Sequence, residues 1–337
     1  MDNQALIESF FDSLQLGTFI ANAERLNGGL LHENWKVTSS EASYVIKKLN
    51  PHVMQKEGAF ERYEESEKIA ASFYQAGLPA VAALNIRSRY VHSWEKNNFI
   101  LYPFVEGKII PLGEINLEQA GIIGQIFAKM HALNLKLPLF QASPHYDIFE
   151  DDHWIELINK QENTQLLNLL PVLLNWNDKY RMSIERLNRD TVISHRDLHY
   201  SNVLWKGELP HLIDWESAGY TNPLQEIIGY GLEWSGLIDS HFYQDRFYAI
   251  LNSYRQQLRT SNSSFEDAFF GWLGNSVMGW LEFNLRRSEG NKFTKEEQAR
   301  GVKIVENTMI PCLNFINSNW KQIFESIEKV MTEKKYE

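Results

Sequence analysis

Two periods of apolar residues divide the chain. Over residues 4–15, Leu6, Ile7, Phe10, Phe11 and Leu14 fall on one helical face, and Gly17 marks its end. Beyond it the pattern changes to short runs of β-formers. Residues 23–27, 35–37 and 44–49 read as strands, with Val45, Lys47 and Leu49 on one face of the last and Tyr44, Ile46 and Lys48 on the other. Helical spacing returns over 58–75, where Phe60, Tyr63, Glu67, Ala70 and Tyr74 share a stripe stopped by Gly77 and Pro79. Glu67 is a carboxylate on an otherwise apolar stripe and needs a partner. Further strands are expected at 81–84, 90–91 and 98–102. Ile122, Ile123, Ile126, Phe127, Met130 and Leu133 then predict a helix over 117–134. Residues 154–190 read as two or three helices, with Pro171 as a breaker, and the last hundred residues are helical and rich in aromatics.

Between the helical stretches lies a segment of different character, 194–215. A polar loop is followed by the apolar run Val203-Leu204-Trp205, then Lys206-Gly207-Glu208-Leu209-Pro210, then Leu212-Ile213. The runs are too short for helices, and Lys206-Gly207 supplies turn chemistry, so the segment predicts a β-hairpin. A hairpin brings Asn202, before its first strand, and Asp214, after its second, to the same open end, with Asp197 on the loop that feeds that end. A carboxamide and a carboxylate suit Mg²⁺, which takes few protein oxygens and completes its shell with water and phosphate. A second carboxylate free of the metal, Asp197, suits the acceptance of a proton from a hydroxyl. These are the parts of phosphoryl transfer.

His195-x-Asp197-x-x-x-x-Asn202 followed by Ile213-Asp214-Trp215-Glu216 resembles the catalytic loop and metal site of the aminoglycoside phosphotransferase / choline kinase-like superfamily. Asp214 precedes Trp215-Glu216 rather than Phe-Gly, no Ala-Pro-Glu follows, and His199 stands where protein serine/threonine kinases usually carry lysine. Those departures favour a small-molecule kinase over a protein kinase. The resemblance implies an α+β, bilobal protein-kinase-like fold. Its β-rich, nucleotide-binding N-lobe would span 1–105. A mainly helical C-lobe over 106–337 would carry the catalytic loop, metal site and substrate pocket. It implies ATP, with GTP as the alternative donor, and Mg²⁺ as cofactors, and a small-molecule hydroxyl as acceptor: an amino sugar, an aminoglycoside, a choline-like amine or a related metabolite. Asp197 would be the base and His195 would support its loop, while Asn202 and Asp214 would bind Mg²⁺. Gly28 and Gly29 would form the phosphate loop. Lys47, with Lys48 as competitor, would pair the nucleotide phosphates, held by Glu67 or alternatively by Glu64. Backbone groups of Phe104 and Val105 would hold the adenine edge. Glu233, Trp234 and Trp280 would line the substrate pocket by ion pairing and cation–π contact. The superfamily has aspartates near the positions of Asn222 and Glu226, which leaves open how the catalytic loop is braced here. A catalytically inactive nucleotide-binding protein of the same fold, and a protein kinase, are the rival readings.

Composition adds exclusions. The 337 residues are 44% hydrophobic and 13% aromatic, enough for a sizeable core. A formal net charge of -10 disfavours nucleic acid as a partner. No window is apolar enough to span a membrane, and no signal peptide opens the chain, so a cytoplasmic protein is expected. One cysteine, Cys312, cannot form an internal disulfide. Oligomeric state is not readable. The run Glu150-Asp151-Asp152-His153 reads as a solvated helix start rather than a metal site, and His131 as a satisfied structural residue.

Overall fold

The computed structural model describes residues 3–26, 31–139, 143–255, 264–289 and 293–332. It divides into two compact units: 1–110 with 136–142 and 201–219, and 111–135 with 143–200 and 220–337.

In the first unit five strands form an antiparallel sheet: β1 (Phe19–Leu26), β2 (Glu33–Ser39), β3 (Ser43–Lys48), β4 (Val91–Trp94) and β5 (Asn97–Pro103), in the order β1-β2-β3-β5-β4. Alternation along β5 separates two apolar clusters, with Phe99 and Leu101 in one and Ile100 in the other. Ile46, Phe99 and Leu101 pack with Leu6, Ile7, Phe10 and Phe11 of the helix Asn3–Leu14. Leu49 and Ile100 pack with Tyr63 of the helix Ala59–Gln75. Both helices form where the periodicity predicts them. The expected strand at 81–84 is instead an extended tether. Val81 N donates to Leu212 O at 2.8 Å and Leu84 N to Leu101 O at 2.8 Å, so its bonds serve two different neighbours and build no ladder.

The hairpin belongs to this unit. Val203–Lys206 pairs antiparallel with Leu209–Leu212, turning at Gly207, whose φ is +62°. Leu212 N donates to Pro79 O at 2.8 Å, and Trp205 exchanges two backbone bonds with Lys108 at 2.9 and 3.0 Å. Gly107 is required by that docking, since a Cβ there would lie 2.9 Å from Leu204 Cβ.

The second unit is mainly helical. The helix Leu117–Leu133 opens on a capping box between Asn116 and Gln119 and packs against Gln244–Arg255. Contact is close enough that a Cβ on Gly124 would meet Ile250 O at 2.1 Å. Residues 154–190 resolve into Asp151–Asn159 and Thr164–Leu187. The second helix runs through Pro171. Burial of Leu166, Leu169, Leu173, Trp176 and Tyr180 offsets the backbone bond that proline cannot donate. Every residue of the helix Pro223–Trp234 is buried, as a central helix requires. Asn222 caps it, accepting from Leu224 N and Gln225 N at 3.0 Å each while its amide donates to Leu187 O and Asp190 O. Phe265–Trp272, Gly279–Glu289, Lys295–Ile304 and Ile310–Thr332 complete the unit, with π-helical turns at Leu273–Met278 and Val305–Met309. Cys312 is fully buried, and desolvation pushes its thiol up to about 12. Among the described residues no helix is long and apolar enough to cross a membrane.

Candidate active site

The open end of the hairpin forms as its turn chemistry requires. Ile213 N donates to Asn202 O at 3.0 Å, which extends the ribbon by one bond and holds Asn202 beside the residues leading into Asp214. Asp214 then takes a left-handed backbone conformation, φ 64° and ψ 62°. Few side chains tolerate that region, and aspartate is among the few. The chain turns sharply into Trp215–Ser217. Trp215 is buried, donates from its indole to Leu212 O at 3.1 Å and lies 5.5 Å from the Phe73 ring, which anchors the turn on the helix Ala59–Gln75.

Lys47 reaches this turn from β3. Its Nζ lies 2.6 Å from Asp214 Oδ1 and 2.8 Å from Glu216 Oε2. Burial works against the ammonium, but the two carboxylates outweigh it and hold Lys47 charged above its ordinary range. Lys48 is directed elsewhere, to Asn3 Oδ1 at 2.9 Å and Glu33 at 3.7 Å. Glu216 resists desolvation through His32, 3.1 Å away, and Lys47, which hold its carboxyl well below the usual range. Asn50 N donates to His32 Nδ1 at 3.0 Å, so the ring proton sits on Nε2, facing Glu216 and the Tyr63 hydroxyl at 2.7 Å. Sequence reasoning missed the roles of Glu216 and His32. Only the spacing of Glu216, two residues past Asp214, hinted at them.

The expected ion pair between Lys47 and Glu67 does not form. Asp214 and Glu216 lie nearer and take the ammonium. Glu67 is 1% exposed, accepts from the Tyr102 hydroxyl, and accepts from Ala83 N at 3.3 Å. Glu64, the alternative, accepts from Tyr90 N and Val91 N at 3.0 and 2.8 Å. Burial pushes the Glu67 carboxyl up to about 7, against the lowering effect of Tyr102. Between its ordinary value of 4.5 and about 7, the folded chain holds a proton that the unfolded chain has lost. Stability therefore falls as pH rises through that window. Glu67→Gln should flatten the slope. Urea unfolding at about pH 5 and about pH 8 should show a fall on the order of 2–3 kcal/mol in the wild type that is absent from the variant; equal slopes would assign the pH dependence elsewhere.

Gly28 and Gly29 lie outside the described residues. The Phe104 amide donates to Ser43 O at 3.0 Å, which commits it to the sheet, and its ring accepts the Lys36 ammonium at 4.1 Å. Of the backbone groups expected at the adenine edge, the Phe104 N–H is therefore already spent on the sheet.

The oxygen set at the hairpin end fits a hard divalent cation. Asn202 carries an amide oxygen, Asp214 carries a carboxylate whose side chain is 38% exposed, and Glu216 stands two residues on. A positive group, the Lys47 ammonium, already sits between the two carboxylates. Among the described residues no three His, Cys, Asp or Glu side chains cluster as a metal cage. Mg²⁺ needs no such cage when phosphates and water complete its shell.

The loop 195–200 belongs to the second unit and is braced by the helix Pro223–Trp234. His195 is buried, and its Nδ1 accepts from Asp197 N at 3.3 Å. Arg196, with φ 64°, donates its amide to Glu226 Oε1 at 3.0 Å and accepts from the Tyr230 hydroxyl through its carbonyl. The Trp234 indole donates to Leu198 O at 2.7 Å. Glu226, Tyr230 and Trp234 stand four residues apart, so one helix face grips the loop three times. His131 lies 2.7 Å from Glu226 Oε2 and 2.8 Å from the Tyr254 hydroxyl, so it is a satisfied structural residue that fixes the first brace. The bracing left open by the loss of aspartates is thus supplied by Glu226 to the loop, with Asn222 capping the helix.

Of the expected substrate residues, Trp234 is corrected: it is 1% exposed and spends its indole on the loop, so no ring face is presented. Glu233 is also buried, accepting from Trp272 Nε1 at 2.7 Å and lying 2.9 Å from His199 Nδ1. Trp280 is 40% exposed and stacks on Phe283 at 5.3 Å.

The family model for the phosphotransferase enzyme family matches residues 22–259, most of the chain. The chain belongs to that phosphotransferase family. Solved structures share its fold at low identity. A spectinomycin phosphotransferase, solved with ADP and spectinomycin, superposes with a TM-score of 0.65 at 13% identity, covering 91% of this chain and 97% of that one. An amicoumacin kinase bound to AMP-PNP and Ca²⁺ gives 0.64 at 14%, covering 91% and 94%. A choline kinase from Streptococcus pneumoniae gives 0.61 at 15%, covering 93% and 98%. No curated protein matches the chain. This phosphotransferase-family chain therefore has the α+β, protein-kinase-like fold, with its antiparallel sheet in the N-terminal region and its helices concentrated in the C-terminal part.

Proposed function

We propose that the protein transfers the γ-phosphoryl group of ATP to a hydroxyl of a small molecule, with Mg²⁺ as cofactor. The observation that carries this reading is the convergence of Lys47, Asp214 and Glu216 at the hairpin end that also holds Asn202. An ammonium and an oxygen set at one turn suit a nucleotide triphosphate with its metal. We assign nucleotide binding to an N-lobe over 1–105 and the catalytic loop, metal ligands and acceptor pocket to a C-lobe over 106–337, although the stretch that carries the metal ligands, 201–219, groups with the first compact unit.

Lys47 would hold nucleotide phosphate oxygens. Asn202 and Asp214 would hold Mg²⁺, with Glu216 keeping Lys47 in place. When bound, Mg²⁺ would offset the charge that develops on the phosphate oxygens. Asp197 would orient the acceptor hydroxyl and take its proton, on a loop kept rigid by His195, Glu226, Tyr230 and Trp234. Val105 would offer its backbone to the adenine edge. The acceptor class, an amino sugar, an aminoglycoside or a choline-like amine, is supported by the similar structures, which include a spectinomycin phosphotransferase, a choline kinase and an ethanolamine kinase. We place the protein in the cytoplasm on the strength of its single, buried cysteine.

A thermal-shift series tests this. A non-hydrolysable ATP analogue with Mg²⁺ should raise the melting temperature, because ligand at about 100 times its Kd adds about 2.7 kcal/mol to the folded state. Choline, ethanolamine and aminoglycosides are then added singly, and any that raises it further is assayed for phosphorylation. No shift with the analogue, with or without Mg²⁺, would refute the nucleotide reading. A shift with no phosphorylated product would favour a binding protein.

A further inference from the structure

His199 stands between two carboxylates. Its Nδ1 lies 2.9 Å from Glu233 Oε2 and its Nε2 lies 3.2 Å from Asp197 Oδ1. Glu233 is 6% exposed, and its other oxygen accepts from Trp272 Nε1 at 2.7 Å. The Tyr230 ring meets the imidazole edge-on at 5.5 Å. The titratable groups facing His199 are thus Asp197 from its own loop and Glu233 and Tyr230 from the helix Pro223–Trp234. Two carboxylates within 3.2 Å of the two ring nitrogens favour the imidazolium, with a proton on each nitrogen.

We propose that His199, clamped as an imidazolium by buried Glu233, is a positioning residue that holds Asp197 through Oδ1 in place to receive the acceptor's proton. The inference rests on Asp197 being the base of the proposed reaction. As the acceptor oxygen bonds to the γ-phosphorus, its proton passes to the Asp197 carboxylate. The bond from phosphorus to the departing nucleoside diphosphate breaks, and its electron pair stays on that oxygen. His199 keeps both protons throughout. Burial would push the imidazole down, but Glu233 and Asp197 outweigh it and hold it up at about 9. The charged form therefore persists below that pH, and the clamp is lost as pH rises through it.

The test uses the full chain labelled with ¹⁵N-histidine, with His199→Gln assigning the resonance. In the wild type His199 should titrate near pH 9. Glu233→Gln keeps an acceptor for Trp272 and removes the charge, so the midpoint should fall by about one unit or more. A wild-type midpoint at the ordinary value of about 6.5, or one unmoved by Glu233→Gln, overturns the clamp. The activity readout is ATP turnover with water as acceptor. His199→Gln should lower kcat by about 100-fold, leave KM for ATP within about twofold and abolish the alkaline fall near pH 9. A persisting alkaline fall, or a loss confined to KM, overturns the positioning role. The parent reading fails separately: if Asp197→Ala retains full ATP turnover, Asp197 is not the base, whatever the imidazole titration shows.

Discussion

Replacing Asp197 by alanine should lower phosphoryl transfer by about 10²- to 10⁴-fold while the nucleotide analogue with Mg²⁺ still raises the melting temperature. The two readouts separate because the groups proposed for the nucleotide, Lys47 with Asn202 and Asp214, lie outside the loop 195–200. When the carboxylate is lost, the bonds to Glu226, Tyr230 and Trp234 should still hold that loop's main chain in place. The fold should therefore survive, and circular dichroism would verify that it does. Turnover within about twofold of wild type would remove Asp197 from the mechanism. A parallel loss of analogue binding would show that the residue does more than accept a proton.

Asp214→Asn should have an effect of comparable size and a different signature. Asparagine keeps the shape of the side chain and, like aspartate, tolerates the left-handed backbone found here, φ 64°. The substitution therefore removes charge with little backbone strain, which alanine would not do. Lys47 would keep Glu216 as its partner, so the ammonium would not be left alone. What is lost is the proposed metal ligand. Turnover should fall by about 10²- to 10³-fold or more, the range for removing one preorganised electrostatic contact. Addition of Mg²⁺ should no longer strengthen analogue binding in a titration calorimeter. An unchanged Mg²⁺ dependence would assign the metal to other oxygens, with Glu216 the first to examine.

What the sequence makes legible is local. The faces of Asn3–Leu14, Ala59–Gln75 and Leu117–Leu133 follow from periodicity because each helix buries one stripe. The hairpin follows from Lys206-Gly207 between two apolar runs. Contacts between distant segments are not legible in that way. Glu216 lies 169 positions from Lys47 and His32 lies in another strand-side loop, so no spacing rule joins them. Glu67 has the stripe position expected of a partner for Lys47, yet it bonds to Tyr102 and Ala83, because pairing depends on which carboxylate comes closest. Trp234 shows that residue type can mislead. An indole in a helix of the substrate lobe suggests cation–π contact, but burial and a bond to Leu198 O make it a brace. Pro171 was a reasonable breaker by propensity, and tertiary burial overrode it.

The interior place of Cys312 has a practical consequence. Its thiol is the chain's single native one, fully enclosed and held protonated far above neutral pH. Alkylating dyes and spin labels would pass it by in the folded state. A cysteine introduced at Leu209, which is 67% exposed in the hairpin, would then be the sole reactive handle, and a fluorophore attached there could follow ligand arrival with every native residue elsewhere retained.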